Sequence, residues 1–520
     1  MPTDRETDRD TARDPARASA RVSASAAGAA SLAAAAALAL AVFAAALALR
    51  LKGLGSAAVS LDEVYTQFAV SRDWLGMVLD RASRGHMPTY FALVKVTVPD
   101  VADITALRRP GAVADALAAA ILAGGIARLV SLPAGFWAGA FYATGPAFVI
   151  WAQNARPYGL LMACIAIGLI AAMALASRAS QPASRADIRA GRAFSLGWAG
   201  AVFTLTGGIV AYLAVVLTPR LRGGPLSAAA FRARWRRAAL LPSGLAVFGY
   251  LAVSRPHVYE GGVGGFWVED FRPFGADGLA ELGFALAGGR LRDLAPILPP
   301  TGEAAALTLM LAAFLALAVA GGLRARTLPA LWPLLGLALG FTCVMLAASA
   351  VSSLLLDRYF LPAWAAILAL AALGLARLPA LVQALIGLPL AGASLAFALA
   401  SAEADPGPGA SYARLAAAIE ASGHREAEIL ADEIFSDLRR DILTLRLGEP
   451  ELPRPNMRGA SPERLSAALE ADAPAFLAVS GAAWDATYRA MTPEDACTLR
   501  AAGAVLVWLG AGPCPGALRR

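Results

Sequence analysis

The sequence predicts a polytopic membrane protein built almost wholly of α-helices, with a small α/β domain at its C-terminal end. Of its 520 residues, 58% are hydrophobic and only 16% are charged, whereas soluble domains average about 45–50% and about 25%. A third observation is a series of apolar runs near the roughly 20-residue length that crosses a bilayer. The net charge of +7 fits arginines beside lipid headgroups, and no nucleic-acid-binding pattern accompanies it.

The chain begins with a polar, low-complexity segment, residues 1–28, which predicts a disordered N-terminus. The first apolar run, 29–49, is too long for the apolar part of a signal peptide, so we expect a retained first span. Five arginines precede this run, and the bias of basic residues places the N-terminus in the cytoplasm. The acidic pair Asp62–Glu63 then lies on the opposite face, which in a bacterium is the periplasm.

The remaining apolar runs extend this first span into a bundle that covers residues 29–401. The stretch 193–218 lies between two arginine-rich loops, and splitting it at Thr206-Gly207-Gly208 into two short helices keeps both loops in the cytoplasm. The total is about eleven spans with the C-terminus outside. The other predicted spans are 110–130, 133–152, 157–177, 238–254, 302–322, 329–350, 357–376 and 378–401.

Three segments lie outside the membrane in this topology. The loop 50–109 carries an apolar stripe of Trp74, Leu75, Val78 and Leu79, which suits either a helix on the membrane surface or a packed loop helix. The loop 255–300, rich in glycine and aromatic residues, suits a mobile lid or a plain connection.

The tail 402–520 follows a Pro/Gly-rich linker, "DPGPG" at 405–409. It alternates helical stretches with strand-like ones such as "AFLAVS" and "AVLVWLG", which predicts a soluble periplasmic α/β domain. Its two cysteines, Cys497 and Cys514, are either paired or two free thiols.

The predicted topology brings the polar residues at span ends to one face. Ion-coupled transporters need ionisable groups near the midplane, where this chain has almost none, so a polar site at one mouth of an apolar bundle is favoured. The residues on this face are Asp62, Glu63, His86, Lys95, Arg108, Arg109, Arg156, His257, Glu269, Asp270, Asp357 and Arg358.

The chemistry of this face suits group transfer from a lipid phosphate. Arginines such as Arg156 and Arg358 bind phosphate through charge-assisted hydrogen bonds, and a nearby carboxylate can take a proton from an attacking hydroxyl. Taken singly, Arg156 also fits a membrane-interface arginine, and Asp357 with Arg358 fits a pair that caps a helix.

Four stretches occur in an informative order: "LDEVYTQFAV" (61–70), "GHMPTYFALVKV" (85–96), "WAQNARPYGLL" (151–161) and "DRYFLPAWAAILAL" (357–370). Together they resemble the GT-C glycosyltransferases that use polyprenyl-phosphate sugars. That superfamily includes protein O-mannosyltransferases, aminoarabinose transferases of lipid A and Rgt-type transferases of lipopolysaccharide core. The resemblance covers about residues 30–400. The second stretch departs from the family, with Met87 and Thr89 where Pro and Leu are usual.

The resemblance implies a hexosyl or pentosyl transferase that moves a sugar, with inversion, from a polyprenyl-phosphate donor to an envelope glycan, lipid or protein acceptor. The implied location is the periplasmic face of a bacterial inner membrane. Asp62 would be the general base, and Glu63 would orient the base or the acceptor. The implied contacts of the donor phosphate are Arg156, Arg358, His86 and Lys95. Candidates for contacts with the acceptor or a lid are Tyr158, His257, Trp267 and Glu269.

Three alternatives stay open at this point. No obligatory cofactor or metal is expected, but a divalent cation beside the acidic pair is one alternative. A flippase or transporter of lipid-linked material is another, and it would tolerate Asp62→Asn. A non-catalytic scaffold of envelope assembly is the third, and it would depend on residues 402–520 instead.

Overall fold

The described part of the chain is mainly helical as far as residue 403. Eight helices in it are long and apolar enough to cross a membrane, which supports a multi-pass membrane protein. The computed structural model describes residues 15–57, 59–182, 184–218, 229–255, 274–288, 300–352, 354–403, 412–449, 452, 455–471, 473–501, 503–510 and 513–518.

The helices are numbered here in chain order. The first ten are α1 (Pro15–Leu51), α2 (Leu61–Ser71), α3 (Trp74–Ser83), α4 (Thr89–Thr97), α5 (Ile104–Leu129), α6 (Leu132–Thr144), α7 (Pro146–Ala152), α8 (Tyr158–Ser177), α9 (Arg185–Thr204) and α10 (Thr206–Val216). The next seven are α11 (Ala229–Gly249), α12 (Ala276–Gly288), α13 (Pro300–Leu323), α14 (Trp332–Leu335), α15 (Thr342–Ser352), α16 (Asp357–Leu375) and α17 (Ala380–Glu403). A π-helical turn, Tyr250–Ser254, extends α11, and another, Gly336–Phe341, joins α14 to α15.

The first helix begins earlier than the sequence predicts. Helix α1 starts at Pro15, so the second half of the segment 1–28 is helical rather than disordered, and residues 1–14 lie outside the described part. Six of the fourteen residues 15–28 are alanines, and alanine is the strongest helix former, so the membrane helix can extend back through this segment.

About eleven spans are predicted, whereas eight described helices are long and apolar enough to cross a membrane. The difference arises because two predicted stretches are each divided into shorter helices by a break. The predicted span 133–152 divides into α6 and α7 at Gly145, which is extended (φ −63°, ψ 118°) and precedes Pro146, because a residue before proline avoids helical geometry. The stretch 193–218 divides at Leu205, next to the predicted break. Gly208 lies so close to α9 that an added Cβ would be 2.1 Å from the Ala201 carbonyl oxygen, so α10 folds back on α9.

The segment between α1 and α5 forms three short helices beside the end of the bundle. Helix α3 carries the predicted apolar stripe, and its Trp74, Leu75 and Leu79 are exposed, whereas Met77 and Arg81 are buried. Val78, the fourth residue of the stripe, packs partly against the buried cluster that contains Met77, but the other three form an exposed apolar face that suits contact with a membrane surface.

The C-terminal part contains a five-stranded sheet. The order is β2-β1-β3-β5-β4, with β1 parallel to β2 and β3, and β5 antiparallel to β3 and β4. Helices cover both faces, so β3 and β5 are buried on both sides and read as continuous apolar runs. The strands are β1 (Glu428–Ala431), β2 (Met457–Gly459), β3 (Ala475–Ser480), β4 (Thr498–Ala501) and β5 (Ala504–Trp508), and the main helices are α18 (Ala413–Ala421), α19 (Phe435–Leu445) and α20 (Pro462–Glu470).

This sheet agrees with the predicted small α/β domain, and "AFLAVS" is β3. Cys497 and Cys514 form a disulfide, with their Cα atoms 5.7 Å apart. Helix α19 packs against α2, and the Arg439 guanidinium lies 5.8 Å from the centre of the Tyr65 ring. The sheet-containing unit therefore contacts the helix that carries the acidic pair. The linker 405–409 lies outside the described residues.

Candidate active site

The acidic pair forms the first turn of α2. Ser60 caps the helix: its hydroxyl accepts the Glu63 backbone N–H at 3.3 Å, and Glu63 Oε2 accepts the Ser60 N–H at 2.9 Å. This reciprocal capping box fixes where the helix begins. Because successive side chains on a helix point about 100° apart, Asp62 and Glu63 face different surroundings.

Glu63 is fully buried and acts as a structural anchor. Arg108 of α5 donates to it through Nε at 2.7 Å and Nη2 at 2.8 Å, and the Ala155 backbone N–H donates to Oε1 at 2.8 Å. A bidentate arginine pair of this kind is among the strongest polar contacts in proteins. Glu63 thus ties α2 both to α5 and to the loop before α8.

Asp62 faces two arginines that come from distant parts of the chain. Its Oδ2 is 3.7 Å from Arg156 Nε and accepts a hydrogen bond from Arg358 Nη1 at 3.4 Å. Its side chain keeps 22% of its surface exposed, so a substrate can reach it. Burial alone would raise the pKa of Asp62, but the charges of Arg156, Arg358 and Arg81 outweigh burial and hold that pKa below its usual value. The carboxylate is therefore ionised at neutral pH.

Arg156 is held by a tight crossing of two helices. It lies in the loop between α7 and α8, one residue before Pro157, the N-cap of α8. A Cβ on Gly159 would lie 2.2 Å from the Gly111 carbonyl oxygen, so α5 and α8 touch through their backbones at this point. The contact brings Arg156 against the first turn of α2.

Arg358 is placed by aromatic neighbours in the first turn of α16. Its guanidinium lies 5.4 Å from the ring centres of both Trp151 and Tyr359, within cation–π range. The Trp151 indole N–H donates to Asp357 Oδ2 at 2.8 Å. Asp357 thus orients the Trp151 ring beside Arg358, and the Arg358 guanidinium pairs with Asp62.

Several buried polar atoms around Asp62 have no hydrogen-bond partner within the described residues. They are Arg156 Nε, Arg358 Nε, the Tyr90 hydroxyl and Asn154 Oδ1. A buried donor without a partner costs about 1–3 kcal/mol, so such a cluster calls for a ligand or water. Three of the four atoms can donate, which suits an anion.

Arg81 belongs to this site although the sequence analysis did not select it. The residue is buried in α3, pairs with Asp80 and lies 5.2 Å from the centre of the Phe91 ring. Burial lowers the pKa of Arg81 to about 10, against the opposing effect of Asp80, so the side chain stays charged at neutral pH. No motif marked it, since its nearness to Asp62 depends on how α3 packs.

The other predicted site residues occupy varied positions. Lys95 donates to the Val70 carbonyl at 2.8 Å and to that of Arg72, at the end of α2. His86 follows α3, with its ring 6.2 Å from that of Phe91. Tyr158 is buried edge-on against Trp151, close to Arg358. His257, Trp267 and Glu269 lie outside the described residues.

The acidic pair does not form a cradle for a metal ion. Glu63 Oε1 and Oε2 are both taken by N–H donors, and Asp62 faces guanidinium groups. A divalent cation needs several converging oxygen ligands, and among the described residues no three His, Cys, Asp or Glu side chains come together. The donor set suits an anion, so no step of the proposed chemistry passes through a metal.

A second buried ion pair lies inside the bundle. Arg50 at the end of α1 donates to Asp115 of α5, and the Tyr142 hydroxyl donates to Asp115 Oδ1 at 2.7 Å. Asp115 is thus an ionisable group within a span, which the sequence analysis did not name. Arg50 offsets the charge of the Asp115 side chain and Tyr142 donates a hydrogen bond to it, so partners from two other helices satisfy this buried group.

The helical bundle and the small α/β unit together form a fold that also occurs in solved structures of other proteins. Two solved structures of ArnT from Cupriavidus metallidurans share it. The apo form has a TM-score of 0.56 at 15% identity, covering 91% of this chain and 98% of that one. The form bound to undecaprenyl phosphate has a TM-score of 0.53, also at 15% identity, covering 91% and 99%.

The same fold occurs in the oligosaccharyltransferase AglB of Archaeoglobus fulgidus. The complex with Zn and sulfate has a TM-score of 0.53 at 12% identity, covering 86% of this chain and 69% of that one. The complex with an inhibitory peptide and a dolichol-phosphate has a TM-score of 0.52 at 11% identity, covering 87% and 70%. No protein-family profile and no curated protein sequence matches the chain. At these identities the likeness establishes the fold, and it confirms the predicted fold class.

Proposed function

We propose that this chain is an integral-membrane glycosyltransferase. It transfers a sugar from a polyprenyl-phosphate donor to an envelope glycan, lipid or protein acceptor at the periplasmic face of a bacterial inner membrane. The observation that carries the proposal is the ionised carboxylate of Asp62, which lies between Arg156 and Arg358 beside buried donors that find no partner in the described part of the chain. ArnT has been solved with undecaprenyl phosphate and AglB with a dolichol-phosphate, which supports the donor class.

In the proposed reaction the acceptor hydroxyl oxygen attacks the anomeric carbon while the bond from that carbon to the phosphate oxygen breaks. The hydroxyl proton passes to Asp62, the general base. Both electrons of the broken bond leave with polyprenyl phosphate, and Arg156 and Arg358 stabilise its added negative charge. A single displacement of this kind inverts the anomeric configuration.

Donor binding also makes Asp62 a stronger base. In the free protein Arg156 and Arg358 hold its pKa low. A donor phosphate bound by these arginines places a negative charge near Asp62 and draws the guanidinium groups toward itself. Both effects favour the protonated carboxyl, so the proton affinity of Asp62 rises once the donor is in place. Glu63 serves as a positioning residue, because its ties to Arg108 and Ala155 align α2 with the Arg156 loop.

The remaining candidates take lesser roles in the proposal. Tyr90, whose hydroxyl has no partner among the described residues, is added as a donor-phosphate contact, and Asn154 Oδ1, which can only accept, is added as a contact for a sugar or acceptor hydroxyl. Lys95 donates hydrogen bonds to backbone carbonyls at the end of α2, and His86 keeps its proposed place as a weaker contact of the donor phosphate. Tyr158 supports Arg358, and His257, Trp267 and Glu269 keep their proposed place in an acceptor lid over the segment 255–300.

Charge and redox chemistry support the periplasmic orientation. Helices α5, α8 and α16 each begin near Asp62, so their other ends lie on the opposite face. There, α9 and α11 expose arginines such as Arg189, Arg192, Arg236 and Arg237, as expected for a cytoplasmic surface. The disulfide between Cys497 and Cys514 is in the unit that contacts α2, and disulfides persist in oxidising compartments such as the periplasm.

The test is mass spectrometry of envelope glycans and of polyprenyl-phosphate sugars in a deletion strain. The strain is complemented with wild type, with Asp62→Asn, or with Asp100→Asn as a control in an exposed carboxylate on the same side. We expect one acceptor to lack a sugar, and its lipid-linked donor to accumulate, with Asp62→Asn alone. If Asp62→Asn matches wild type while the empty deletion strain does not, the transporter or scaffold function replaces the transferase.

A further inference from the structure

Two neighbouring crevices lie at the end of the bundle opposite Asp62. Helix α16 begins beside Asp62 and runs for 19 residues, a rise of about 28 Å, before it ends next to Ala376 and Arg377. One crevice, of about 510 Å³, is lined by Arg377, Arg324, Thr327 and Ser131 among others. The second, of about 400 Å³, adjoins it, and Pro133 lines both.

The first crevice has the chemistry of an anion site. It has two guanidinium groups and two hydroxyls on its walls, and within the described residues no aspartate or glutamate lines it. Arg377 is anchored by a long contact from Nη1 to the Ala320 carbonyl at 3.5 Å, and the Thr327 hydroxyl donates to the Arg324 carbonyl at 3.0 Å. The pair of arginines therefore carries a local positive charge without a carboxylate wall to offset it.

Helix packing brings the two arginines together. Gly321 of α13 and Gly374 of α16 cross so closely that a Cβ on Gly321 would lie 1.9 Å from the Leu370 carbonyl oxygen. Arg324 follows Gly321 by three residues, and Arg377 follows Gly374 by three. The crossing thus places both arginines just past the ends of two closely packed helices, at the same end of the bundle.

The second crevice is apolar and opens among exposed apolar side chains such as Leu132, Phe136 and Leu381. Its walls include Leu38, Phe136, Trp137, Ala380 and Ala384. The polar groups that reach it are satisfied internally: the Trp137 indole N–H donates to Gln383 Oε1 at 3.0 Å, and Gln383 Nε2 donates to the Leu378 carbonyl at 2.7 Å. The crevice consequently offers only apolar contact to an occupant.

We propose that the two crevices together bind an anionic glycerophospholipid from the leaflet opposite the catalytic face. Its phosphate contacts Arg324 and Arg377, and one acyl chain lies in the apolar crevice beside Phe136 and Trp137. The two crevices complement such a lipid in charge and polarity, because a basic crevice at the ends of two apolar helices adjoins an apolar crevice that opens among exposed apolar side chains. This site is about 28 Å from Asp62 along α16 and does not depend on the proposed catalytic function.

The test is native mass spectrometry of the full-length protein in detergent, titrated with dioleoyl phosphatidylglycerol. Dioleoyl phosphatidylcholine, with the same chains, serves as the zwitterionic comparison. We expect wild type to retain phosphatidylglycerol preferentially, and the double variant Arg324→Gln, Arg377→Gln to bind it about thirtyfold more weakly, since both arginines lose their attraction to the anionic headgroup. The matched control, Arg189→Gln with Arg192→Gln, removes two exposed arginines at the same end and should leave binding unchanged.

A third variant separates a lipid from a free anion. Ala384→Trp fills the apolar crevice and leaves both arginines in place, so it should also lose phosphatidylglycerol while keeping wild-type thermal stability in phosphatidylcholine. Equal losses in the control pair would reduce the effect to general surface charge and overturn the proposal. Displacement of the bound lipid by inorganic phosphate alone, or by undecaprenyl phosphate at a lower concentration than phosphatidylglycerol, would overturn the assignment to a glycerophospholipid.

Discussion

Replacing Asp62 and Glu63 by their amides should have different effects. Asp62→Asn should lower the rate of sugar transfer, and Glu63→Gln should lower the stability of the fold. Asp62→Asn removes a base but little stability, because its ion pairs of 3.4 and 3.7 Å are long and partly exposed and contribute about 1 kcal/mol or less. Its cost should instead appear in kcat. Loss of a general base lowers rates by about 10²–10⁴, which is a barrier increase of about 3–5 kcal/mol.

Glu63→Gln should instead lower stability. Glu63 accepts hydrogen bonds from Arg108 twice, from Ala155 and from Ser60. A glutamine has one acceptor oxygen and must turn its NH₂ group toward donors. Removing one partner of a buried ion pair costs about 3–5 kcal/mol. The two substitutions thus have similar energies, but one affects the transition state and the other affects the folded state.

The assay combines three measurements on purified protein: thermal unfolding at a fixed scan rate, binding of undecaprenyl phosphate, and sugar transfer once the acceptor is known. Asp62→Asn should unfold like wild type and bind undecaprenyl phosphate as well or better, because the arginines lose a competing carboxylate. Glu63→Gln should unfold at a clearly lower temperature. The reasoning is refuted if Asp62→Asn keeps transfer within tenfold of wild type, or if Glu63→Gln is fully stable yet inactive.

Three further predictions concern the phosphate site, pH and the C-terminal unit. Arg156→Lys should weaken undecaprenyl phosphate binding by roughly tenfold at unchanged thermal stability, because a lysine cannot replace the forked guanidinium; equal affinity in a binding titration would exclude Arg156 from the site. The kcat/KM for the donor should stay constant at neutral pH and fall only below the ordinary range of aspartate, because it reports the free protein, in which the pKa of Asp62 is lowered; for the same reason the contribution of Asp62 to stability is present above the pKa of the unfolded chain and is lost as pH falls through the lower, folded value. An acid limb in the pH profile near neutrality would contradict this. Cys497→Ser opens a loop between cysteines 17 residues apart and should destabilise the sheet-containing unit by about 3 kcal/mol; faster proteolysis after residue 412 than in a Cys343→Ser control is the expected result, and unchanged resistance would speak against it.

The sequence alone determined the parts of this protein that depend on local chemistry. The apolar runs had to become membrane helices, because a backbone in lipid must satisfy its own hydrogen bonds. Alternation of helical and strand-like segments predicted the C-terminal sheet. The break near Thr206 was predicted at two adjacent glycines because it keeps the arginine-rich loops on either side in the cytoplasm. The acidic pair, Arg156 and Arg358 could be chosen as candidates because ionisable groups at span ends are costly unless used.

Only the tertiary structure decided how those candidates divide their roles. Nothing in "DE" says that Asp62 faces two arginines while Glu63 is buried against Arg108, because that depends on the rotation of α2 set by its capping box and by the Ala155 contact. Arg81 and Tyr90 joined the site, and Lys95 was drawn to helix-end carbonyls, through packing between helices far apart in the chain. The position of Arg324 and Arg377 in one crevice likewise depends on the crossing of α13 and α16 at Gly321 and Gly374. Local sequence sets which segments fold into helices, whereas contacts between distant segments set which charges meet.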